Sequence, residues 1–532
     1  MKKNVFLIYL KNILLPCLLF SLITGILTGG FVVGFKFIAG KIIDLSTTLY
    51  SFLRLHAYYL PLVFALIALV SVGLYFLHKY SPDSKGGGIP NSIAYLRGLV
   101  TFKWLRTLIG AIVSCLFTFF IGTPLGNEGP CVMTGTTLGR GVINTLGKKH
   151  REWDRYIMTG GACAGFASAT GAPISGILFA LEEAHHKLSP MILMVAGSTV
   201  CFAMITTQWL SSLFGLESAL FPHLAPITLQ FSQMWLPLTV GIFAGIFAVL
   251  YIKYFNALRK LVNKKIIGKT KILAYTVIFI LTVTVGLFSN DFISTGHHLI
   301  EKLLTPNGLT VLFLILVLVI RTLLTSSASS VSITGGTFIP TLAFGALLSS
   351  IIAKILISLG FIEEYYYQIT VLLGMIACFS GMAKTPLSAI IFGLEALSLT
   401  TNVLAVAITV IASYIISEIF CPHSVNDEIM EIRVEEERKD KQVFLIDAVL
   451  TVQEKSFAVG KQIRDVLWPN NLFVLSLKRS DNHPQIDGHG EKNMYPGDKL
   501  HVRYSTYDKQ ATAEELSAIL GKQDFTEDEW KE

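Results

Sequence analysis

Apolar runs of roughly bilayer-crossing length recur along the chain as far as about residue 425, separated by short polar clusters. An α-helix rises about 1.5 Å per residue, so about 20 apolar residues cross the hydrocarbon layer. The stretches 58–77, 105–122, 191–206, 235–252, 271–289, 308–320 and 402–420 form or anchor such spans, and each predicts a membrane helix. The N-terminal "KKNVFLIYLKNILLPCLLFSLITGILTGGFVVGF" has no small-residue cleavage site suited to its length, so it reads as a retained first helix rather than a removed signal peptide. Beyond Cys421 the pattern changes. "NDEIMEIRVEEERKDK" (426–441) is a charged linker with helical character. "VFLIDAVL", "LFVLSLKR" and "KLHVRY" predict short strands, with turns at "RSDNHPQ" and "YPGD", and "QATAEELSAILG" predicts a helix. The expected fold is an all-α polytopic membrane protein followed by a small soluble α+β domain.

Composition agrees with that class. Of the 532 residues, 52% are hydrophobic and only 15% charged, with a mean hydropathy of +0.60, whereas a soluble protein carries about 25% charged residues. Charge is divided unevenly: residues 426–532 carry a net −7 and the remainder a net +14. The basic residues of the membrane part gather at the N-terminus and in "LRKLVNKKIIGKTK" (258–271), which the positive-inside rule places in the cytoplasm. A basic segment beside membrane spans does not indicate nucleic-acid binding. The seven cysteines lie in apolar segments without a CxxC pair and predict packing, not disulfides or a metal site. His185 and His186 have no ligands at metal spacing and read as solvated loop residues. No cofactor is implied. No aspartate occurs within the clear apolar runs and no G-x-S-x-G is present, so an intramembrane enzyme is not supported.

An internal repeat sharpens the picture. At an offset of 210, Gly126, Pro130 and Gly135 match Gly336, Pro340 and Gly345. At an offset of 213, Gly161, Ala164, Phe166, Pro173, Ser175, Ile177, Phe179, Leu181 and Glu182 match Gly374, Ala377, Phe379, Pro386, Ser388, Ile390, Phe392, Leu394 and Glu395. Two matches in one order argue for a duplicated membrane unit. Duplicated transporters place substrate between their halves, where broken helices present positive N-terminal ends to an anion. "KGGGIP" (85–90), "GNEGP" (126–130) and "GGTFIP" (335–340) have the glycine and N-terminal proline such helix starts need, although each alone also fits a membrane kink. Within "GNEGP" stands Glu128, an ionisable group in apolar surroundings and therefore a candidate functional site.

With these three motifs in order, residues 10–425 resemble the CLC family of chloride channels and proton-coupled chloride antiporters: GxGIP is Gly86–Pro90, GxEGP is Gly126–Pro130 and GGxFxP is Gly335–Pro340. The resemblance implies an inverted repeat with broken helices, a homodimer with one anion pathway per subunit, both termini in the cytoplasm and a place in the plasma membrane of a prokaryote. It implies that Glu128 is the gating glutamate, competing with the anion when ionised and yielding when protonated. It also implies that Glu183, in "FALEEAHH", is the internal proton glutamate. The repeat supplies a partner for Glu182 but none for Glu183, which sets Glu183 apart from packing, with a solvated helix end as the alternative. The anion would be held by Gly87, Gly88 and Ile89, by Asn127 and Gly129, by Thr337, Phe338 and Ile339, and by Ser424. Residues 442–522 resemble the C-terminal domain of RCK (TrkA) regulatory proteins through "SFAVGKQIRDV" and "MYPGDKLHVRY", which implies an unidentified small ligand or dimerisation. The divisions expected are 1–425, a linker at 426–441, this domain at 442–522 and a tail at 523–532.

Three positions depart from the family pattern. Gly87 replaces the serine of GSGIP, Asn127 replaces the arginine of GREGP, and no tyrosine lies in "FCPHSVNDE", where His423 or Ser424 falls. Two side-chain donors are thereby lost, which leaves backbone N–H groups around Glu128, Phe338 and Ile339 to hold the anion. The leading expectation is a proton-coupled chloride antiporter. A fluoride/proton antiporter of the same fold and a passive chloride channel stay open.

Overall fold

The computed structural model describes residues 13–523 apart from 188, 217–219, 222–227, 267, 307, 440, 480–485 and 488–489. The turn expected at "RSDNHPQ", the first residues of the N-terminal helix and the tail after 523 lie outside the described residues. Helices α1 (Leu15–Leu55), α2 (Leu60–Tyr80), α3 (Ile89–Leu96), α4 (Trp104–Ile121), α5 (Glu128–Thr145), α6 (Asp154–Thr170), α7 (Pro173–Phe179) and α8 (Pro190–Phe214) build the first half. The second half comprises α9 (Trp235–Lys265), α10 (Thr270–Gly286), α11 (His297–Leu303), α12 (Val311–Ser330), α13 (Phe338–Ser358), α14 (Tyr367–Ala383), α15 (Pro386–Ala396) and α16 (Val403–Phe420).

Among the described residues nine helical segments are long and apolar enough to cross a membrane. Two of them, α13 and the segment Glu364–Ala383 containing α14, are absent from the spans expected from hydropathy. The second has the lowest hydropathy of the nine, 1.4, and the highest share buried inside the protein, 89%. A helix wrapped by protein rather than lipid has no need of an unbroken apolar run, because neighbouring helices take up its polar atoms.

Repeat-matched glycines set the closest helix crossings. A Cβ on Gly135 of α5 would lie 1.8 Å from the carbonyl oxygen of Gly161 on α6, and one on Gly345 of α13 would lie 2.3 Å from that of Gly374 on α14. The two halves thus contain the same crossing, at which the backbones touch and only glycine fits.

The seam between the halves is closed by another matched pair. Glu182 accepts hydrogen bonds from the backbone N–H of Leu387 (2.9 Å) and Ser388 (2.7 Å) and from the Ser388 hydroxyl (2.7 Å), at the start of α15. Glu395 accepts from the N–H of Ile174 and Ser175, both 2.9 Å, at the start of α7. Each carboxylate caps the broken helix of the other half, where free N–H groups and the helix dipole favour negative charge. Glu182 is therefore held in the framework.

After α16, helix α17 (Val425–Arg438) occupies the charged linker. Strands β1 (Phe444–Thr451), β2 (Leu472–Lys478), β3 (Ile486–Asp487) and β4 (Lys499–Thr506) follow, with α18 (Lys509–Leu520). The sheet is antiparallel in the order β1-β4-β2-β3; β1 pairs with β4 from Phe444–Thr506 to Thr451–Lys499. Ile446, Ala448 and Leu450 alternate inward and meet Leu500, Val502, Tyr504 and the α18 residues Leu516, Ile519 and Leu520 in one small core. This tail is seated on the start of α6. The Tyr156 hydroxyl donates to the Asp465 carbonyl (2.9 Å) and accepts from Leu467 N–H (3.0 Å). The Arg155 guanidinium donates to the Trp468 carbonyl (2.7 Å), and Phe457 packs edge-on against Trp153.

Candidate functional site

Three glycine-rich loops that precede helices converge between the halves. Gly126 and Gly336 exchange two backbone hydrogen bonds, 2.6 and 2.7 Å, and Gly335 N–H donates to the Gly86 carbonyl (3.3 Å). The starts of α3, α5 and α13 are thereby tied into one cradle. The fit is tight: a Cβ on Gly129 would lie 1.9 Å from the Gly87 carbonyl oxygen, and one on Gly88, where φ is +76°, would lie 2.3 Å from that of Gly129. Helix starts carry N–H groups with no intrahelical partner, and several aimed at one place form an anion site. Gly87, Gly88, Ile89, Asn127, Gly129, Thr337, Phe338 and Ile339 all lie in this cradle, most of them buried.

Glu128 is the first residue of α5 and is 1% exposed. Its carboxylate lies among the N–H groups of Asn127, Glu128 and Ile339, but neither oxygen makes a full hydrogen bond among the described residues. It stands between the positive ends of two helices, at the starts of α5 and α13. The cation within electrostatic reach of it is Lys36 of α1, whose ammonium donates to the Ala169 carbonyl at the end of α6 (3.1 Å). Lys36 was not foreseen from sequence: a single lysine in a long apolar helix carries no motif, and only packing brings it beside α5.

On the tail side of the cradle a cavity is lined by Ile89, Phe166, Tyr251, Thr337, Phe338 and Glu183, among others. Phe338 meets Phe166, Phe379 and Phe392 edge-on, with ring centroids 5.2, 4.9 and 5.2 Å away. Aromatic rings therefore separate the cradle from Glu183, which is 7% exposed. Glu183 lies in a π-helical turn, Ala180–Ala184, that continues α7; such widened turns recur at functional sites. Asn426 of α17 donates its amide to the Glu183 carboxylate (2.6 Å). Arg97, just past α3, donates to the carbonyls of Glu183 (3.0 Å) and Ala184 (2.7 Å) and pairs with Asp427 (3.7 Å). The two glutamates that adjoin in sequence thus have separate surroundings, one at the seam and one facing the cavity.

Ser424 is not in the cradle. Its hydroxyl caps α17, accepting from Asp427 N–H (3.0 Å) and donating to the Asp427 carboxylate (2.7 Å). Asn426, two residues on, lines the cavity instead. The sequence offered no sign of this, because the register of "CPHSVNDE" depends on where α17 starts. The histidine pair also divides: His186 is exposed, whereas His185 is partly buried and bonds through Nε2 to the Thr159 hydroxyl (2.9 Å). That bond ties the glutamate turn to α6, so His185 is not the solvated loop residue its position suggested.

Comparisons with known proteins agree with this layout. Residues 67–418 match the family model described as voltage gated chloride channel. The chain is 27% identical over 416 residues to the H(+)/Cl(-) exchange transporter ClcA of Salmonella arizonae, covering 76% of this chain and 86% of that protein. Its identity to ClcA of Klebsiella pneumoniae is 28% over 366 residues, covering 67% and 76% respectively. Among solved structures, a slow cyanobacterial Cl-/H+ antiporter aligns with a TM-score of 0.70 at 22% identity, covering 80% of this chain and 98% of that one. A CLC-type fluoride/proton antiporter aligns with a TM-score of 0.63 at 21% identity, covering 78% and 98%.

Proposed function

The chain belongs to the voltage-gated chloride channel family, and from that premise we propose that it is an integral membrane antiporter exchanging chloride for protons. The observation that carries this reading is the position of Glu128, a buried carboxylate at the helix starts of an anion cradle. Ionised, the carboxylate takes the place of the anion and uses the same N–H groups. Protonated, it loses that attraction and leaves the place to chloride. One side chain then exchanges a proton for an anion, and the names of the ClcA relatives are in keeping with that exchange.

Glu183 is the proton group on the tail side, reached through the cavity and oriented by Asn426. The tail side is cytoplasmic in this reading. Arg259 and Lys271, from the basic segment expected inside the cell, line a cavity together with Arg433 of α17. Both termini are then cytoplasmic, the protein works as a dimer, and the tail is a regulatory domain of the RCK type. Reversal-potential measurements on reconstituted vesicles under opposed chloride and proton gradients test the exchange. A potential set by chloride alone would make the protein a channel.

Glu183→Gln is expected to stop proton movement and leave substantial chloride flux. The glutamine carbonyl still accepts the Asn426 amide, so the surroundings are kept and only titration is removed. Loss of both fluxes in a folded protein would assign Glu183 to the framework.

The anion itself is the open choice, because residue 87 has no hydroxyl and Ser424 is engaged elsewhere. Gly87→Ser fits the backbone: its Cβ would meet Pro90 at 3.4 Å, an ordinary contact. A hydrogen bond to a charged partner is worth about 1.5–3 kcal/mol, and about 1.4 kcal/mol is tenfold in affinity. Calorimetric titration is therefore expected to show weak chloride binding by the native protein and tightening by about tenfold in Gly87→Ser. Strong preference of the native protein for fluoride would select the fluoride alternative.

A further inference from the structure

On the tail side, a cavity lies between the start of α3, the ends of α9 and α12, and α17. Four cations line it, Lys85, Arg259, Lys271 and Arg433, against the single carboxylate of Glu436. Arg259 is 6% exposed, yet its Nε and one terminal nitrogen have no hydrogen-bond partner among the described residues. The hydroxyls of Ser329 and Ser330, also on the wall, are buried and unpartnered as well. Arg433 spends one terminal nitrogen on Asp83 (2.7 Å) and Glu437 (3.6 Å), while its Nε has no hydrogen-bond partner among the described residues. Lys85 stands close enough to Lys271 and Arg433 to be repelled by them, and is drawn in turn by Glu436 and Asp83. Gathering like charges with unspent donors is costly unless an anion joins them.

We propose that this cavity binds a multivalent oxyanion of the phosphate type, and that its occupant obstructs the tail-side approach to the glycine cradle. A halide brings one charge and one acceptor atom, which cannot serve four cations and two hydroxyls spread around the walls. A phosphate group brings up to two charges and several oxygens, a set that matches the guanidinium fork. Obstruction follows from the shared wall: Gly86, Gly87 and Thr337 line this cavity and also belong to the cradle or its edge. Binding stands apart from the proposed function, whereas obstruction rests on one part of it, the passage of chloride through the cradle, and not on its coupling to protons.

The test is calorimetric titration of the purified full-length protein with inorganic phosphate and with pyrophosphate, alongside chloride efflux from vesicles holding either anion. A parallel set of vesicles containing a phosphatidylinositol phosphate distinguishes a lipid headgroup from a free phosphate. Binding by either source is expected, with competitive slowing of chloride efflux. Arg259→Gln is expected to weaken binding by about tenfold, the loss of a charge-assisted hydrogen bond. If Arg259→Gln does not fold, Arg259→Lys and Lys271→Gln at the partly exposed rim serve in its place, with smaller losses of the same sign. Absence of binding heat from all probes, or affinity unchanged in every variant, would overturn the site. Binding without slowed efflux would overturn the obstruction and keep the site, and chloride efflux without proton coupling would count against the antiport reading alone.

Discussion

Replacing Glu128 by glutamine is expected to stop proton movement while chloride flux continues and loses its dependence on pH. Glutamine has nearly the shape of glutamate and leaves the start of α5 intact, but it carries no charge at any working pH. If, as proposed, the ionised carboxylate competes with chloride for the N–H groups around Asn127, Glu128 and Ile339, raising the pH should slow anion entry and lowering it should speed entry. The glutamine variant has nothing to titrate, and its flux should follow the chloride gradient alone. Its proton flux should fall to the leak of protein-free vesicles, because among the described residues no other carboxylate stands in the cradle. The measurement is paired: chloride efflux by electrode and proton uptake by a pH-sensitive dye in the same vesicles. Uphill proton movement driven by chloride in this variant would remove Glu128 from the coupling.

Much of this arrangement was legible in the sequence because it rests on residues with narrow physical uses. Glycine and proline at helix starts, repeated at one offset, pointed to broken helices. The apolar run "VFLIDAVL" pointed to a short strand, and β1 occupies it with every second residue from Ile446 to Leu450 buried. What could not be read depends on tertiary approach. Lys36 reaches Glu128 only because α1 packs on α5, and Asn426 reaches Glu183 only because α17 begins beneath the cradle. Hydropathy overlooked α14 because a helix enclosed by protein is free to carry polar residues. The matched glutamates show both sides of the matter: the repeat paired Glu182 with Glu395, but only the fold shows each capping the other's half.

The same cradle makes a prediction of opposite kind for two of its glycines. Gly129→Ala adds one methyl group, as small a change as a protein allows, yet it would lie 1.9 Å from the Gly87 carbonyl oxygen and 2.9 Å from Gly336 Cα. Both obstacles are backbone, so no rotamer change relieves them. Overpacking a core typically costs about 1–3 kcal/mol where side chains can yield, and here two helix starts would have to separate. The loop starts of α3 and α13 are pinned by the Gly126–Gly336 and Gly86–Gly335 hydrogen bonds, so separation would break the ring of N–H groups proposed to hold the anion. Gly129→Ala is therefore expected to lower the thermal midpoint markedly and to abolish chloride binding, whereas Gly87→Ser leaves the midpoint near that of the native protein. Thermal unfolding with and without chloride checks both at once, since an anion that binds the folded state raises its stability. A Gly129→Ala protein with native midpoint and native chloride stabilisation would show that the three loops do not meet as closely as this packing requires.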